Sequence, residues 1–442
     1  MRRFDCLTAA VVLAAMPGFA NTPIIRNSEV TATLLCLRYD GENAAMVPVC
    51  QTALLEPGHT DSVEEELYFN LGYAHYKTGR YQAARVAFDK GLALNPQSAR
   101  LHEQKGWSYF DENAYSEAET SFRLSRDIHA NAYNLSGLAS SMFYAGGTAD
   151  ASIPLIDQAL VLDPRYMWGW RQKGWILYDS GNFAASDAEF SAILAVDKND
   201  ANAHYGRARV AYDRDNLEEA LAHLNRAIAI EAEIGAHQRL LAMIAYHQEK
   251  YALSIAAGGR ALDRAPDDAT AAAYVAFAHD ELGRRAVALE VMRDAARAGA
   301  RGMDFNSDYA TLLRRDRQWA AALARSEQVV ADERADAGDF AMHAMLLLEL
   351  EHYEGALRAG QRAARLDRSA ADGPHMAARA LVYLGRYQEA ATMIVTAREN
   401  GLNDGDFSEF LGLLLGKGEA LLARQLRQNP KQFNSQKSAR SR

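Results

Sequence analysis

The sequence lacks the short motifs that identify many enzymes and nucleotide-binding proteins. It has no glycine-rich phosphate loop, no HExxH and no pair of CxxC motifs. Its histidines are scattered, and His343, His352 and His375 share no spacing suited to a common metal ion. We therefore expect no catalytic residue, no cofactor and no metal site, and we predict that the protein is not an enzyme.

Basic stripes and long apolar runs are also missing. The chain carries 48 lysines and arginines against 57 aspartates and glutamates, which gives a formal net charge of −9. Because a nucleic-acid interface needs a basic stripe, this acidity argues against a nucleic-acid partner. Beyond the N-terminus, apolar runs such as residues 345–348 cover about one helical turn, whereas a bilayer span needs roughly 20 residues. We expect no transmembrane segment in the mature chain.

The N-terminus, residues 1–20, is predicted to be a secretory signal peptide. Arg2 and Arg3 form a positive n-region, residues 7–16 form an apolar h-region, and small residues suit cleavage after Ala20. The alternatives are an N-terminal core helix or an uncleaved anchor, but the apolar run is far too short to span a bilayer. The interpretation as a signal peptide predicts a periplasmic protein, with outright secretion as the alternative.

Two cysteines, Cys36 and Cys50, remain after that cleavage. In an oxidising compartment an isolated pair favours a disulfide. The two cysteines flank a candidate turn at Asp40 and Gly41, so the bond would join two consecutive helices and contribute about 3 kcal/mol in the chain-entropy model. The alternative is a pair of buried free thiols. Pro48 makes the start of the second helix ambiguous, so the sequence does not show whether the two cysteines lie at the same height along the helices.

Two amphipathic helical patterns stand side by side in residues 67–96. Gly79 supplies a turn between them, and Pro96 ends the second. Apolar and small residues recur three and four positions apart in each half. These residues are Tyr68, Leu71, Gly72, His75, Tyr81, Ala84, Phe88 and Leu92. The pattern predicts two helices that pack against each other along one buried face each.

This stretch resembles the tetratricopeptide repeat (TPR), a helix–turn–helix unit of 34 residues, and departs from its signature at His75 and Gly91. Recurrence is the test, because a single pair could arise by chance. At steps of about 34 residues the signature returns in most of the chain, giving roughly ten units. Two copies match poorly, at residues 137–164 and 304–330. Matching residues include Gly106, Tyr115, Phe122, Gly174, Gly181, Phe190, Ala220, Ala242, Tyr251, Gly283, Ala356, Gly385 and Tyr387.

The resemblance implies an all-α fold, a TPR-type α-solenoid of antiparallel helix pairs wound into a right-handed superhelix. Each unit would bury its apolar face on its neighbours. We predict a signal peptide, an N-terminal cap or degenerate repeat, a TPR array, further and partly degenerate TPR units, C-terminal capping helices and a basic disordered tail. In that order they cover residues 1–20, 21–60, 61–300, 301–400, 401–426 and 427–442.

In proteins of this family the first helix of each pair lines the concave surface. The resemblance implies exposed groove positions at the second, fifth, ninth and twelfth residues of each unit. In this sequence those positions hold aromatic and basic residues, which we predict to bind a partner. They are Phe69, Tyr73, Tyr76, Trp107, Phe110, Trp168, Arg171, Trp175, Tyr178, Tyr205, Arg209 and Tyr212. The alternative is that these rings only pack within the repeats.

Two classes of function follow from this groove. Aromatic and arginine side chains are frequent anchors at protein interfaces, and extended peptides suit long grooves. We therefore predict a periplasmic TPR scaffold that binds a protein or peptide partner, with a cell-envelope complex as a candidate. The alternative is a carbohydrate-binding solenoid of a polysaccharide synthesis or export system, because flat aromatic faces also stack on sugar rings.

Overall fold

The structure is a computed structural model and describes residues 31–39 and 42–428. The predicted signal peptide and nearly all of the predicted tail lie outside these residues. The chain divides into two compact units, residues 1–176 and 177–442. Within the described residues it forms 24 α-helices and no strand.

The first unit contains eight complete helices. They are α1 (Ala32–Arg38), α2 (Asn43–Ala53), α3 (Asp61–Lys77), α4 (Tyr81–Leu94), α5 (Ala99–Phe110), α6 (Tyr115–Ile128), α7 (Ala132–Tyr144) and α8 (Ala149–Leu162). Helix α9 (Met167–Asp179) contains the boundary between the units.

The second unit continues with fifteen helices. They are α10 (Phe183–Val196), α11 (Ala201–Asp213), α12 (Leu217–Ile230), α13 (Gly235–His247), α14 (Tyr251–Arg264), α15 (Ala269–Glu281), α16 (Arg285–Ala298), α17 (Met303–Arg315), α18 (Trp319–Val330), α19 (Ala337–Glu349), α20 (Tyr353–Leu366), α21 (Asp372–Tyr383), α22 (Tyr387–Glu399), α23 (Asp404–Gly416) and α24 (Ala420–Gln428). Helix α24 includes the first two residues of the predicted tail, Arg427 and Gln428.

Within each unit, successive helices form antiparallel pairs, in which an odd-numbered first helix packs on the even-numbered second helix that follows it. The predicted all-α fold of TPR-type helix pairs is confirmed. The right-handed superhelix concerns the overall shape and stays a prediction.

The close approach of the paired helices follows from small residues that face aromatic ones. Phe88 on α4 is fully buried, and a Cβ atom added to Gly72 on α3 would lie 2.3 Å from its ring. The predicted packing of the two helices in residues 67–96 is therefore confirmed. Any side chain larger than hydrogen at Gly72 would force the two helices apart.

Each hairpin turns through one residue with a positive φ angle. Glycine holds this position at Gly79 and Gly283, with φ of 72° and 73°, but Glu249 and Glu351 hold it elsewhere with φ of 58° and 61°. The backbone N–H of the next residue bonds back into the first helix, as Arg80 does to the carbonyl of His75 at 2.9 Å. This turn geometry is shared by repeats whose turn sequences differ.

The first helices begin with side-chain caps that the sequence supplies locally. Thr60, Asp200, Asp268 and Asn403 each accept a hydrogen bond from the backbone N–H three residues on. Such caps satisfy donors that the first turn of a helix leaves without a partner.

The two poorly matching stretches also fold as helix pairs, α7 with α8 and α17 with α18. Helix α7 ends at Tyr144, two repeat lengths after Tyr76, so its C-terminal end is in phase with the array. The buried residues of α7 include small ones such as Ser136, Gly137 and Ser140. The larger residues of the repeat signature are missing from this helix, which explains the poor match.

The N-terminal helix pair is held by a disulfide between Cys36 and Cys50, which agrees with the sequence prediction. Both cysteines are fully buried, and Pro48 lies within α2 rather than ending it. The side-chain amide of Asn70 on α3 donates to the carbonyl of Cys36 at 2.9 Å. Helices α1 and α2, which the disulfide joins, thus pack against α3.

Candidate functional site

The twelve predicted groove residues are all half-buried, and none belongs to the fully buried core. This intermediate exposure fits neither a simple packing role nor a fully solvated surface. Eight of them lie in the first unit and four in the second. Those of the second unit are Tyr178, Tyr205, Arg209 and Tyr212.

The three predicted residues of α3 form one row of rings. Phe69 stacks on Tyr73 with ring centroids 6.2 Å apart, and Tyr76 lies 6.3 Å further along. Cations cover part of this row, because the Lys77 ammonium lies 5.3 Å from the Tyr73 ring and the Arg100 guanidinium 3.8 Å from that of Phe69. The row can therefore accept an aromatic or anionic group at its edge.

A second group of rings, the tryptophan cluster, joins two repeats that are not neighbours and includes a ring from the repeat between them. It consists of Trp107 and Phe110 on α5, Trp168 on α9, and Tyr144 at the end of α7. Trp107 and Trp168 meet edge to face at 4.8 Å, and Phe110 lies 6.2 Å from Trp168 and 6.3 Å from Tyr144. The structure thus brings three predicted residues, Trp107, Phe110 and Trp168, into contact.

The small residues of α7 make this contact possible. A Cβ atom added to Gly137 would lie 2.5 Å from the buried ring of Phe122, and Phe122 also packs against Trp107 at 4.8 Å. Helix α7 therefore lies deep in the unit and leaves room for the rings of α5 and α9 to meet. The weak repeat is the structural reason for the cluster.

The residue at the twelfth position of a repeat often reaches the end of the next first helix. The hydroxyl of Tyr76 donates to Asp111 at 2.7 Å, and the hydroxyl of Tyr178, three repeat lengths later, donates to Asp213. Burial and the bond to Asp111 raise the pKa of Tyr76 well above its usual range. These two tyrosines link consecutive repeats, so their hydroxyls are already engaged within the protein.

Arg209 completes a polar cluster around Tyr178 in the second unit. Its Nε and Nη2 atoms lie 3.1 and 2.6 Å from the Tyr178 hydroxyl, and its guanidinium lies 5.4 Å from the ring centroid. Burial, followed by the bond to Asp213, raises the pKa of Tyr178 to about 12. Arg209 therefore positions a neutral tyrosine.

The remaining predicted residues fall into three places. Tyr205 packs on His237 at 5.1 Å, and the Tyr212 hydroxyl lies 3.1 Å from that of Tyr274. Arg171 and Trp175 are half-buried on α9. Both take part in interactions within the protein, so neither is free of partners.

Sequence reasoning missed several rings that extend these groups. Tyr166 lies 6.0 Å from Trp168 and 4.5 Å from Tyr133 in the first unit, and His247 and Tyr274 join Tyr212 in the second. Tyr144 could have been found, because it stands one repeat length after Phe110. Tyr274 stands outside the four groove positions, and no sequence signal marks it.

The described residues hold no group of three or more His, Cys, Asp or Glu side chains that could bind a metal ion. None of the helices in residues 31–39 and 42–428 combines the length and the apolar character needed to cross a membrane.

The helix pairs, their length and their turn geometry define an α-solenoid built from helical hairpins. Profiles of the tetratricopeptide repeat match residues 65–98, 171–233 and 375–426. The chain is a tetratricopeptide repeat protein. No curated protein matches it.

Solved structures show likeness in fold. The human IFIT1 dimer with PPP-AAAA is 15% identical, with a TM-score of 0.51, covering 85% of this chain and 92% of its own. YrrB, described as a TPR protein with an unusual peptide-binding site, is 22% identical, with a TM-score of 0.32, covering 42% and 91%. The Cut9–Hcn1 complex is 13% identical, with a TM-score of 0.47, covering 86% and 82%. At 15% identity the likeness to IFIT1 concerns the fold alone.

Proposed function

We propose that this protein is an exported, non-catalytic scaffold whose tryptophan cluster binds a protein or peptide partner. TPR proteins are interaction scaffolds, and the observation that carries the finer proposal is the contact between Trp107 and Trp168 across α7. It gathers half-exposed rings from two repeats into one surface. Such groups of large aromatic side chains dominate the binding energy of many interfaces.

The arrangement of the rings favours a polypeptide partner at this surface. Trp107 and Trp168 are perpendicular, with an interplanar angle of 90°, and Phe110 is tilted by 73° from Trp168. Notches between such rings accept apolar side chains, and this cluster is mainly apolar, whereas a sugar needs several hydrogen-bonding groups beside a ring face. The row on α3 adds Lys77, which supplies a cation for an acidic residue of the partner, while the guanidinium of Arg100 is already paired with Glu66.

Export into the periplasm is the second part of the proposal, and it rests on the sequence of residues 1–20. The buried disulfide of Cys36 and Cys50 supports it, because structural disulfides persist in oxidising compartments. Intact-mass analysis of the protein from the periplasmic fraction tests this part. We expect a chain that begins near Asn21; a chain that retains Met1 would contradict export with cleavage.

Truncation of Trp168 tests the binding surface. Trp168 contacts other rings of the surface, so Trp168→Ala should weaken partner binding roughly thirtyfold, equivalent to about 2 kcal/mol. The partner is first captured by cross-linking in a periplasmic extract, and its affinity for purified variants is then measured. The matched control is Tyr353→Ala, which removes a half-buried ring that stacks on Tyr383 in the second unit.

The melting temperature separates binding from packing. Lost affinity with an unchanged melting temperature supports the proposal. Equal affinity of Trp168→Ala and the wild type, or equal losses for Trp168→Ala and Tyr353→Ala, would refute it.

A further inference from the structure

A hydrogen-bonded network in the second unit joins side chains from three successive repeats. It consists of Tyr212 on α11, His247 at the end of α13 and Tyr274 on α15. The hydroxyls of Tyr212 and Tyr274 lie 3.1 Å apart, and Nε2 of His247 lies 3.3 Å from the Tyr274 hydroxyl. His247 is exposed and both tyrosines are half-buried, so the network reaches the surface.

The three side chains do not themselves fix which group donates and which accepts in each hydrogen bond of this network. If Nε2 of His247 carries the proton, it donates to Tyr274, Tyr274 donates to Tyr212, and the Tyr212 hydroxyl is left as a donor. If Nε2 is unprotonated, the order reverses and Tyr212 is left as an acceptor. Because each hydroxyl both donates and accepts, the free end of the network adapts to its ligand.

Tyr212 keeps this dual capacity over a wide range of pH. Burial, followed by the bond to Tyr274, raises the pKa of Tyr212 far above its usual value. Burial, followed by Glu281, also raises the pKa of the neighbouring Tyr246. Both hydroxyls therefore remain protonated well above neutral pH.

Two arginines near the network have partners within the protein. Arg315 bonds to Asp280 at 2.7 Å and lies 3.6 Å from Glu281, while Arg209 bonds to Tyr178. Neither cation is left to attract an anionic ligand. The site therefore favours a neutral ligand that hydrogen-bonds.

Aromatic rings flank the hydroxyls. Tyr246 lies 5.5 Å from Tyr274 and 6.2 Å from Phe277, and His247 lies 5.8 Å from Tyr212. Rings of this kind give an apolar body beside a polar tip. A sugar presents the matching pair of features, since its hydroxyls also donate and accept while its ring carbons form an apolar face.

We propose that Tyr212, Tyr246, His247 and Tyr274 form a binding site for a neutral oligosaccharide, separate from the tryptophan cluster. A peptide backbone matches the site less well, because it has no apolar ring face for the flanking aromatic rings to cover. This site neither requires nor excludes the polypeptide partner of the first unit.

The test uses the full mature chain and an array of neutral hexasaccharides of glucose, mannose and N-acetylglucosamine, beside an array of random peptides. We expect binding to at least one hexasaccharide, whose affinity is then measured by calorimetry. Tyr274→Phe removes one hydroxyl and keeps the ring, so it should weaken binding about tenfold. The matched control, Tyr353→Phe, removes a hydroxyl elsewhere in the same unit and should bind as the wild type does.

The outcomes separate this proposal from the one for the first unit. Absence of binding to every hexasaccharide at millimolar concentration, unchanged affinity of Tyr274→Phe, or peptide binding that needs Tyr274 would each overturn it. Trp168→Ala should leave the affinity for the sugar unchanged. If Tyr274→Phe lowers the melting temperature strongly, His247→Ala replaces it, because His247 is exposed; unchanged sugar affinity of that variant also overturns the proposal.

Discussion

In the first unit the rings of Trp107 and Trp168 meet edge to face at 4.8 Å, whereas in the second unit the hydroxyls of Tyr212 and Tyr274 meet at 3.1 Å. Both contacts join first helices that are two repeats apart, and both pass over an intervening first helix. The same architecture thus supports an apolar surface in one unit and a polar one in the other. The side chains on these first helices decide which chemistry each unit offers.

The intervening helices explain how both contacts arise. Most residues of α7 are buried, and many of them are small. Most residues of α13 are also buried, and they include larger side chains such as Leu240 and Met243. A helix that lies deep in the array lets its two neighbours approach above it. Burial of a first helix is therefore a sign that residues on either side of it cooperate.

The largest effect that we expect comes from removing the support of the tryptophan cluster. Phe122→Ala takes away a fully buried ring that packs against Trp107 and faces Gly137, and it should cost about 3–5 kcal/mol of stability. Hydrogen exchange should show the loss in the first unit, together with loss of partner binding.

Phe190→Ala is the matched change in the second unit, because Phe190 is equally buried and faces Gly206. It should cost a similar amount, while the first unit keeps its partner. Loss of partner binding in both variants would mean that the two surfaces do not act separately.

The second effect concerns the N-terminal end of the first unit. Replacing Cys36 and Cys50 by serine removes the disulfide and should cost about 3 kcal/mol. The residue Tyr39, which caps α1 and lies 5.6 Å from Tyr73, should then lose its place beside the row of rings on α3. Thermal unfolding with and without reductant measures the loss, and the double variant should not respond to reductant.

A melting temperature that is the same in wild type and double variant would show that α1 and α2 are held without the bond. Hydrogen exchange of the second unit is the internal control, since no part of that unit depends on this disulfide.

The third effect concerns the side-chain hydrogen bonds around Tyr178 in the second unit. Tyr178→Phe keeps the ring but leaves Arg209 and Asp213 without the hydroxyl that joins them, and it should cost about 1–2 kcal/mol. Tyr76→Phe removes the equivalent bond to Asp111 in the first unit, where no arginine bonds to the Tyr76 hydroxyl. Denaturant unfolding should show a smaller loss for Tyr76→Phe, and a larger loss there would contradict the role given to Arg209.

The sequence predicted the repeats well because their signature records close packing, such as that of Gly72 against Phe88. The disulfide was also predictable, because only two cysteines remained to be paired. The contact between Trp107 and Trp168 was not, because it depends on how deeply α7 is buried, and small residues give no sign of that depth. Tyr274 was missed for a similar reason, since its place in the hydrogen-bonded network depends on partners in two other repeats.

The smallest effect lies in the turns. Glu249 has a φ of 58° and Asn113 one of 60°, in the left-handed region that side chains usually avoid. Asparagine tolerates this region better than glutamate does. Glu249→Gly should therefore raise stability by up to about 1 kcal/mol, the relief of strain being partly offset by the greater freedom of glycine in the unfolded chain.

Asn113→Gly should change stability by less than Glu249→Gly, and Gly283→Ala should lower it, because alanine must adopt the φ of 73° that glycine holds there. Melting temperatures of the three variants provide the comparison. If all three turns responded alike, strain at the positive φ would not be what distinguishes them. A gain for Glu249→Gly alone would show that the second unit still contains a turn in which the packing of the repeats overrides the preference of its own residue.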